Sequence, residues 1–460
     1  MAYNIKECNR EQIYLLPPRL DEWLPKGDLA WFIIDVASQL DMSSYYRKYR
    51  EDGKGQAAYD PAMMVALVLY AYSLGIRSSR QIERLCERDI GFKVITAEAT
   101  PDHSTIARFR QENDKELGRL FTEALKICGK AGLVKVGLVA LDGTKMKANA
   151  ALEANRTYEH IEKAVRKMLD EAEAKDAEED RLYGKDKRGD ELPEDLQDRG
   201  SRLARLKECK ELLEREQAEE SEKQRQKIKN RQREEAQSGR KKRGRKPKEP
   251  EAKPEAEAKA NITDPDSRIM KTRSGYIQGY NGQAVVTAQQ IIIAAELTIQ
   301  ENDVNQLRCM VQKAQENIAD MGVIDGEIKT VLADAGYCSE ANFEAIDLEG
   351  PEYFIAIQKD WKQRQAAKEK TSPRGRIPKA LTLRERMERK LLTKRGRALY
   401  KKRGQTVEPV FGQIKTSQGI VGFMRRGVEA CAQEWKLICT THNLLKLWRS
   451  IGARAVSAAV

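Results

Sequence analysis

The run Gly132-Leu-Val-Lys-Val-Gly-Leu-Val-Ala-Leu141, closed by Asp142-Gly143-Thr144, is β-branched and almost entirely apolar. A short run of that kind fits a strand buried on both faces. A second run, Ile328-Lys-Thr-Val-Leu-Ala-Asp334, again ends in an acid, with Gly336 just beyond it. Between them lie strand-like stretches at Tyr276 to Val286, with a turn-prone Asn281-Gly282 inside, and at Ile291 to Ile299. A helix is expected from Asp303 to Met321, then one capped by Ser339, then a short strand at Tyr353 to Ile357. The last element, from about Thr406 to Arg449, reads as helical and carries Glu408, Lys415, Trp435 and Trp448.

With 150–263 set aside, the order is strand, two strands, helix, strand, helix, strand, helix. That is the order of a ribonuclease H-like α/β domain interrupted by a helical insertion. Its first and fourth strands both end in aspartate, and sites in open α/β sheets form at the carboxyl ends of strands. If those strands are neighbours, Asp142 and Asp334 lie side by side, and Glu408, near the start of a later helix, completes a three-carboxylate cluster. Hard oxygen ligands of this type hold Mg²⁺. Two such ions about 4 Å apart activate the attacking oxygen and stabilise the leaving one in phosphoryl transfer. The plainer reading makes Asp142 and Asp334 turn or cap residues, since Asp-Gly and Asp-Ala-Gly suit turns.

Four stretches follow from this reading: a helical domain over 1–130, the first part of the catalytic domain over 131–152, a charged insertion over 153–263, and the rest of the catalytic domain over 264–460. In the first, Asp28 caps an amphipathic run to Leu40, and Asp60-Pro61 opens an apolar helix to Leu74. Ser78-x-x-Gln81 has the form of a capping box, and Thr100-Pro101 starts a helix with His103, Arg108 and Arg110. These short helices suit a DNA-docking helix-turn-helix-like unit, and equally a small bundle whose arginines are merely solvated. Trp31, Phe32, Tyr70 and Tyr72 read as core.

In the insertion, Tyr183 is the only aromatic between Ile161 and Ala260, while Leu196, Leu203, Leu206 and Leu213 trace an a/d-like seam. A helical hairpin turning near Tyr183 to Pro193 is expected, followed by a disordered tail. That tail holds Arg240-Lys-Lys-Arg-Gly-Arg-Lys-Pro-Lys248, seven cations in nine residues, including Arg243 and Arg245. It reads as an arm for phosphates or the minor groove. Beyond it, Asp264, Asp266 and Arg268 either organise a turn or support the site.

The whole chain has 460 residues and a net charge of +12, with a pI of about 9.1, which points to nucleic acid as the partner. Thr371 to Arg403 alone carries thirteen Lys/Arg against two Glu, a net +11. Met1 to Arg10 lacks the cationic-then-apolar form of a signal peptide, and the most apolar window, Met63 to Ile76, is short of a membrane span. A cytoplasmic protein is expected. The eight cysteines form no C-x-x-C pair, and only His103, His160 and His442 are histidines. Carboxylates are left as the chemical groups of choice.

Several blocks resemble bacterial insertion-sequence DDE transposases, over nearly the full length. Leu15-Leu-Pro-Pro-Arg-Leu-Asp-Glu-Trp23, Tyr59-Asp-Pro-Ala-Met63, Gly75-Ile-Arg-Ser-Ser-Arg-Gln-Ile-Glu83 and Thr100-Pro-Asp-His-Ser-Thr-Ile-Ala-Arg-Phe-Arg110 are similar to that family's helical N-terminal domain. Leu141-Asp-Gly-Thr-Lys145 and Leu332-Ala-Asp-Ala-Gly-Tyr337 resemble the blocks around its first two catalytic aspartates. Tyr400-Lys-Lys-Arg403 with Val407-Glu-Pro-Val-Phe-Gly-Gln-Ile-Lys415 resembles the glutamate block. The resemblance implies Asp142, Asp334 and Glu408 as catalytic, metal-binding residues, Mg²⁺ as cofactor with Mn²⁺ able to substitute, and double-stranded DNA as partner of a homodimer. It implies DNA contacts by Tyr400, Arg403 and Lys415; Lys145, Arg108, Arg110, Arg243 and Arg245 are further candidates. Four residues separate Arg403 from Glu408 where the best-known signature has three. Pro409 disfavours helical geometry at Glu408 and suggests that Glu408 opens its helix.

Overall fold

A computed structural model describes residues 19–49, 58–183, 202–240, 247–251, 253–322, 326–346, 350–358, 371–376, 378 and 380–459. The N-terminal part is helical: α1 (Leu29–Ser38), α2 (Ser43–Tyr46), α3 (Pro61–Ser73), α4 (Ser79–Arg88), α5 (Ile90–Thr96), α6 (His103–Glu112) and α7 (Asp114–Lys130). Asp28 and Asp60 cap α1 and α3 by accepting from Ala30 N and Ala62 N, and Pro61 occupies the first turn of α3. Ser78 makes no capping hydrogen bond. The helix expected from Thr100-Pro101 starts instead after Asp102, whose carboxylate accepts from the amides of Ser104 and Thr105. Nearly all of α3 is buried, so its long apolar run is core. Among the described residues no helix is long and apolar enough to cross a membrane.

β1 (Leu138–Lys147) starts the sheet. After it come β2 (Asn155–Thr157), α8 (Tyr158–Tyr183), α9 (Arg202–Ser238) and β3 (Lys259–Asn261). β2 pairs with β3, and α8 packs on α9 through Tyr158, Ile161, Val165, Leu203, Leu206, Cys209 and Leu213, a small core of its own. The expected helix pair therefore forms, with Leu203, Leu206 and Leu213 buried in its seam. Leu196 and the expected turn lie outside the described residues. α9 runs on to Ser238, well beyond the apolar seam, on a strongly charged sequence with several i,i+3 and i,i+4 ion pairs.

The main sheet is completed by β4 (Arg268–Thr272), β5 (Gly275–Thr287), β6 (Ile292–Thr298), β7 (Thr330–Ala333) and β8 (Glu352–Ile355). Its order is β4-β5-β1-β7-β8, with β6 following β4 along the outer edge of β5. β7 and β8 run parallel to β1, whereas β5 runs antiparallel to β1, β4 and β6. α10 (Leu307–Met321) and α11 (Glu340–Glu344) supply the connections. After β8 come α12 (Leu383–Leu392), α13 (Lys394–Gly412) and α14 (Val428–Ala459).

Three features differ from what the sequence suggests. Asn281-Gly282 is not a turn but the middle of β5, where Gly282 lets the Trp435 indole lie against the strand. A Cβ there would meet the ring at 3.0 Å. The last helical element is two helices, α13 and α14, separated by a π-helical turn at Gln413–Ser417 and an irregular segment. That segment turns at Gly419 and Gly427, both at positive φ, and Gly422 bridges to Lys147 at the end of β1. Lastly, Glu408 sits in the last turns of α13, with Pro409 inside the helix rather than at its start.

One buried core joins the N-terminal helices, the sheet and α14. Within it His442 is buried, its Nε2 donating to the Gln290 carbonyl at 3.0 Å. Burial pushes its pKa down to about 4, opposed by that hydrogen bond and reinforced by Lys446 and Arg449. The folded pKa lies below the unfolded one, so the unfolded chain takes up more protons between about pH 6.5 and 4. Stability should therefore be intact above that window and fall as pH drops through it, by up to about 3 kcal/mol from this residue. Urea unfolding at several pH values should give a shallower slope for His442→Gln than for the wild type.

Candidate active site

The parallel pairing of β1 with β7 runs from Leu138↔Thr330 to Leu141↔Ala333 and stops. The pairing of β1 with β5 continues to Lys147↔Gly279. β1 therefore does not end at Asp142, as its sequence suggests, because its antiparallel neighbour carries it five residues further. The fork matters more than the end: Asp142 and Asp334 are the next residues of the register, side by side where β7 has ended. Asp334 turns into a short 3₁₀ segment, its carboxylate accepting from Gly336 N at 2.7 Å.

α13 crosses this fork. Arg403 Nη2 lies 2.7 Å from Asp142 Oδ2, and its Nη1 lies 4.0 Å from Glu408 Oε1. The guanidinium thus bridges the first aspartate and the glutamate. Arg403 and Asp142 are only 12% and 18% exposed, against 70% for Glu408. Among the described residues no three acids converge as a ready metal cage; Arg403 stands between Glu408 and the pair. Burial pushes the Asp142 carboxyl up to about 7; Arg403 opposes this, and the nearby acids Asp334 and Asp303 add to it. Burial alone would favour neutral Arg403, but Asp142 above all, then Tyr400, Asp334 and Glu408, raise its pKa and keep it charged. A buried acid that charges reluctantly beside further acids is a site short of positive charge.

The other expected residues divide. Tyr400, with Arg403, Gly404 and Glu408, lines a cavity of about 550 Å³ that extends to Ala356 and Ile357 beyond β8. Lys415 lies in the π-helical turn that follows α13 and donates to the Lys145 carbonyl at 2.7 Å. Lys145 donates to the Glu301 carbonyl. Burial lowers the pKa of both lysines. Arg108 is exposed on α6. Arg110 is not at the surface: it is 7% exposed, donating to the Arg77 carbonyl and the Tyr72 hydroxyl, each at 2.7 Å. Its place as a DNA contact is withdrawn on that ground. Arg243 and Arg245 lie outside the described residues. Asp264 and Asp266 organise the turn into α14, accepting from Gly427 N and Val428 N.

Asp303, Asn281, Gln283 and Tyr337 also stand at the candidate site, without a signal in the sequence that singles them out. Asn281 and Gln283 each donate to Asp303 Oδ1 at 2.7 Å, and the buried Tyr337 hydroxyl donates to Gln283 Oε1. Asn281-Gly282 was masked by its turn-like composition, and Asp303 by its position at the expected start of a helix.

Two family models match the chain. One, described as a transposase domain (DUF772), matches residues 18–112; the other, described as a transposase DDE domain, matches 257–444. The chain belongs to the DDE transposases. No curated protein and no solved structure matches. The transposase's β5 to β8, Asp334, Arg403 and Glu408 fall inside the DDE match, whereas β1 with Asp142 precedes it and the α8–α9 pair lies between the two matches. As a DDE transposase the chain is a DNA transposase, and enzymes of this family generally use divalent metal ions.

Proposed function

We propose that this transposase cleaves phosphodiesters at element ends and joins the freed 3′-hydroxyl to target DNA, using Asp142, Asp334 and Glu408 as metal-binding acids on a ribonuclease H-like domain. The observation that carries this reading is the fork: two aspartates side by side where β1 leaves β7, with Arg403 and Glu408 above them. The order β6-β5-β1-β7-β8, with β5 alone reversed among these five, supports the fold assignment. An all-oxygen donor set fits Mg²⁺, or Mn²⁺ in its place. The bound ion supplies charge neutralisation at the attacking and leaving oxygens.

The rest falls to the chain's own residues. Asp142, Asp334 and Glu408 would hold the ion beside the reacting phosphate, and Arg403 balances the charge of Asp142. Water attacks phosphorus, the bond to the leaving oxygen breaks, and a 3′-hydroxyl is released. That hydroxyl then attacks a target phosphate in line, one P–O bond forming as another breaks. Tyr400, Arg403, Lys415 and Lys145 meet phosphates around the site, while Arg108 and the arm with Arg243 and Arg245 grip the duplex farther away. The domain limits 1–130, 131–152, 153–263 and 264–460 and a homodimer pairing two ends belong to the same proposal.

The test uses duplexes bearing the ends of the encoding element, with Mg²⁺ and the full chain. Nicking to a 3′-hydroxyl and joining of precleaved ends to a plasmid are expected; cleavage without any joining would leave a nuclease instead. Arg108→Ala should weaken DNA binding evenly across sequences and lower the slope of log affinity against log salt by about 1. Fluorescence anisotropy over a salt series measures that.

A further inference from the structure

We infer that Asp303 is a fourth acid of the site, a ligand for the divalent cation held by Asp142 and Asp334; this rests on the metal reading above. Asp303 precedes the 3₁₀ turn Val304–Gln306 that leads into α10, the ordinary place for a helix cap, yet its side chain makes no capping hydrogen bond. It is held instead by the sheet. Asn281 Nδ2 and Gln283 Nε2, two residues apart on β5 and so on one face, both donate to Oδ1. Two donors on one oxygen fix the carboxylate and leave Oδ2 to point elsewhere.

Where it points is set by two glycines. A Cβ on Gly336 would lie 2.8 Å from Asp334 Oδ1 and 3.0 Å from Asp303 Oδ2, so both carboxylates border that glycine. A Cβ on Gly143 would lie 2.6 Å from Asp303 Oδ1 and 2.9 Å from Asn281 Oδ1. The residue after Asp142 and the second residue after Asp334 are both glycine, and the Asp303 carboxylate shares the space that side chains would take, with Gln283 Nε2 at Gly143 and Asp334 Oδ1 at Gly336. Asp142 and Gly143 face opposite sides of β1, but β7 has ended at Ala333, and Asp303 reaches Gly336 across that open edge.

A separate observation points to a ligand. Asn281 is fully buried, and its Oδ1, beside Gly143, has no hydrogen-bond partner. A buried acceptor left unspent is costly, and a carbonyl oxygen is a hard donor of the kind Mg²⁺ and Mn²⁺ take. Among the described residues neither Asp303 nor Asp334 makes an ion pair; Arg403 serves Asp142 and Glu408.

Asp303→Asn is a clean test, because the amide keeps a carbonyl oxygen for both Asn281 and Gln283 and removes only the charge. Mn²⁺ binding to the full chain without DNA is measured by electron paramagnetic resonance and titration calorimetry. Asp303→Asn should weaken Mn²⁺ binding about 10- to 100-fold, with an unchanged thermal midpoint and unchanged DNA affinity in Ca²⁺. Raised Mn²⁺ should restore part of its cleavage. Wild-type Mn²⁺ affinity in Asp303→Asn, with affinity lost in Asp142→Asn, would make Asp303 a structural residue and leave the proposed function standing. Wild-type affinity in Asp142→Asn as well would overturn the metal reading itself. Should Asp303→Asn fail to fold, Gly143→Ala replaces it: its methyl presses on Asp303, Gln283 and Asn281 but not on Asp334. Unchanged Mn²⁺ affinity in a folded Gly143→Ala would count against Asp303.

Discussion

Asp142→Asn should lower end cleavage and strand transfer by about 10³-fold or more while the protein stays folded and bound to DNA. Removing one carboxylate from a metal site forfeits several kcal/mol of charge stabilisation in the transition state, and each tenfold in rate corresponds to about 1.4 kcal/mol. Asparagine has almost the same shape, so the fork of β1 and β7 has no reason to change. The substitution also removes an acid whose charge burial resists and whose neighbours Asp334 and Asp303 repel it. What is lost is the 2.7 Å ion pair with Arg403, which keeps Glu408 as a more distant partner. Thermal stability should therefore hold or rise slightly, separating a chemical defect from a folding defect. Single-turnover cleavage of labelled ends, run beside a melting curve, reads both; cleavage at the wild-type rate would remove Asp142 from the site.

Glu434→Ala should do the reverse, leaving the acids in place and costing about 3–5 kcal/mol of stability, the usual penalty for breaking a buried charged network from one side. Glu434 is 4% exposed on α14, at the junction with the N-terminal helices. Its carboxylate accepts from the Tyr72 hydroxyl at 3.1 Å and from the amides of Met424 and Arg425 at 3.0 Å. Arg77 Nη1 lies 3.6 Å away, and Arg110 reaches the network through the Tyr72 hydroxyl. Alanine would leave two amides and a hydroxyl without their acceptor and the largely buried Arg77 guanidinium without its anion. Glu434→Gln keeps an acceptor and should lose less. Urea unfolding followed by far-UV circular dichroism gives the ranking wild type, Gln, Ala; equal midpoints for all three would show the network to be dispensable. Because the network ties α3, α6 and α14 together, partial unfolding should begin with the N-terminal helices.

Local signals along the chain fix some of these features and leave others to the fold. The helix starts at Asp28 and Asp60 were legible because a cap acts within three residues of chain. The strands at Asp142 and Asp334 were legible because burial on both faces writes itself as an unbroken apolar run. Glu408 was found as a residue but misplaced in its helix, since Pro409 is tolerated inside α13 and the pre-proline bias is overridden by packing of Val407 and Val410 into the core. Arg108 and Arg110 look alike in sequence. Only the position of α6 against Tyr72 and Arg77 exposes one and buries the other.

The sequence by itself determined most of the helices and strands, the aspartates in β1 and just after β7, and the charged helix pair, because periodicity, capping and composition are local properties. The tertiary structure alone decided that β1 parts from β7 just at Asp142, that Arg403 bridges Asp142 to Glu408, and that Asp303 joins them from 161 residues away. Those facts depend on strand register and on which side chains are left facing one another once the core has closed. No spacing along the chain encodes a register between strands almost two hundred residues apart, so the charge balance of the site could be read only from the fold.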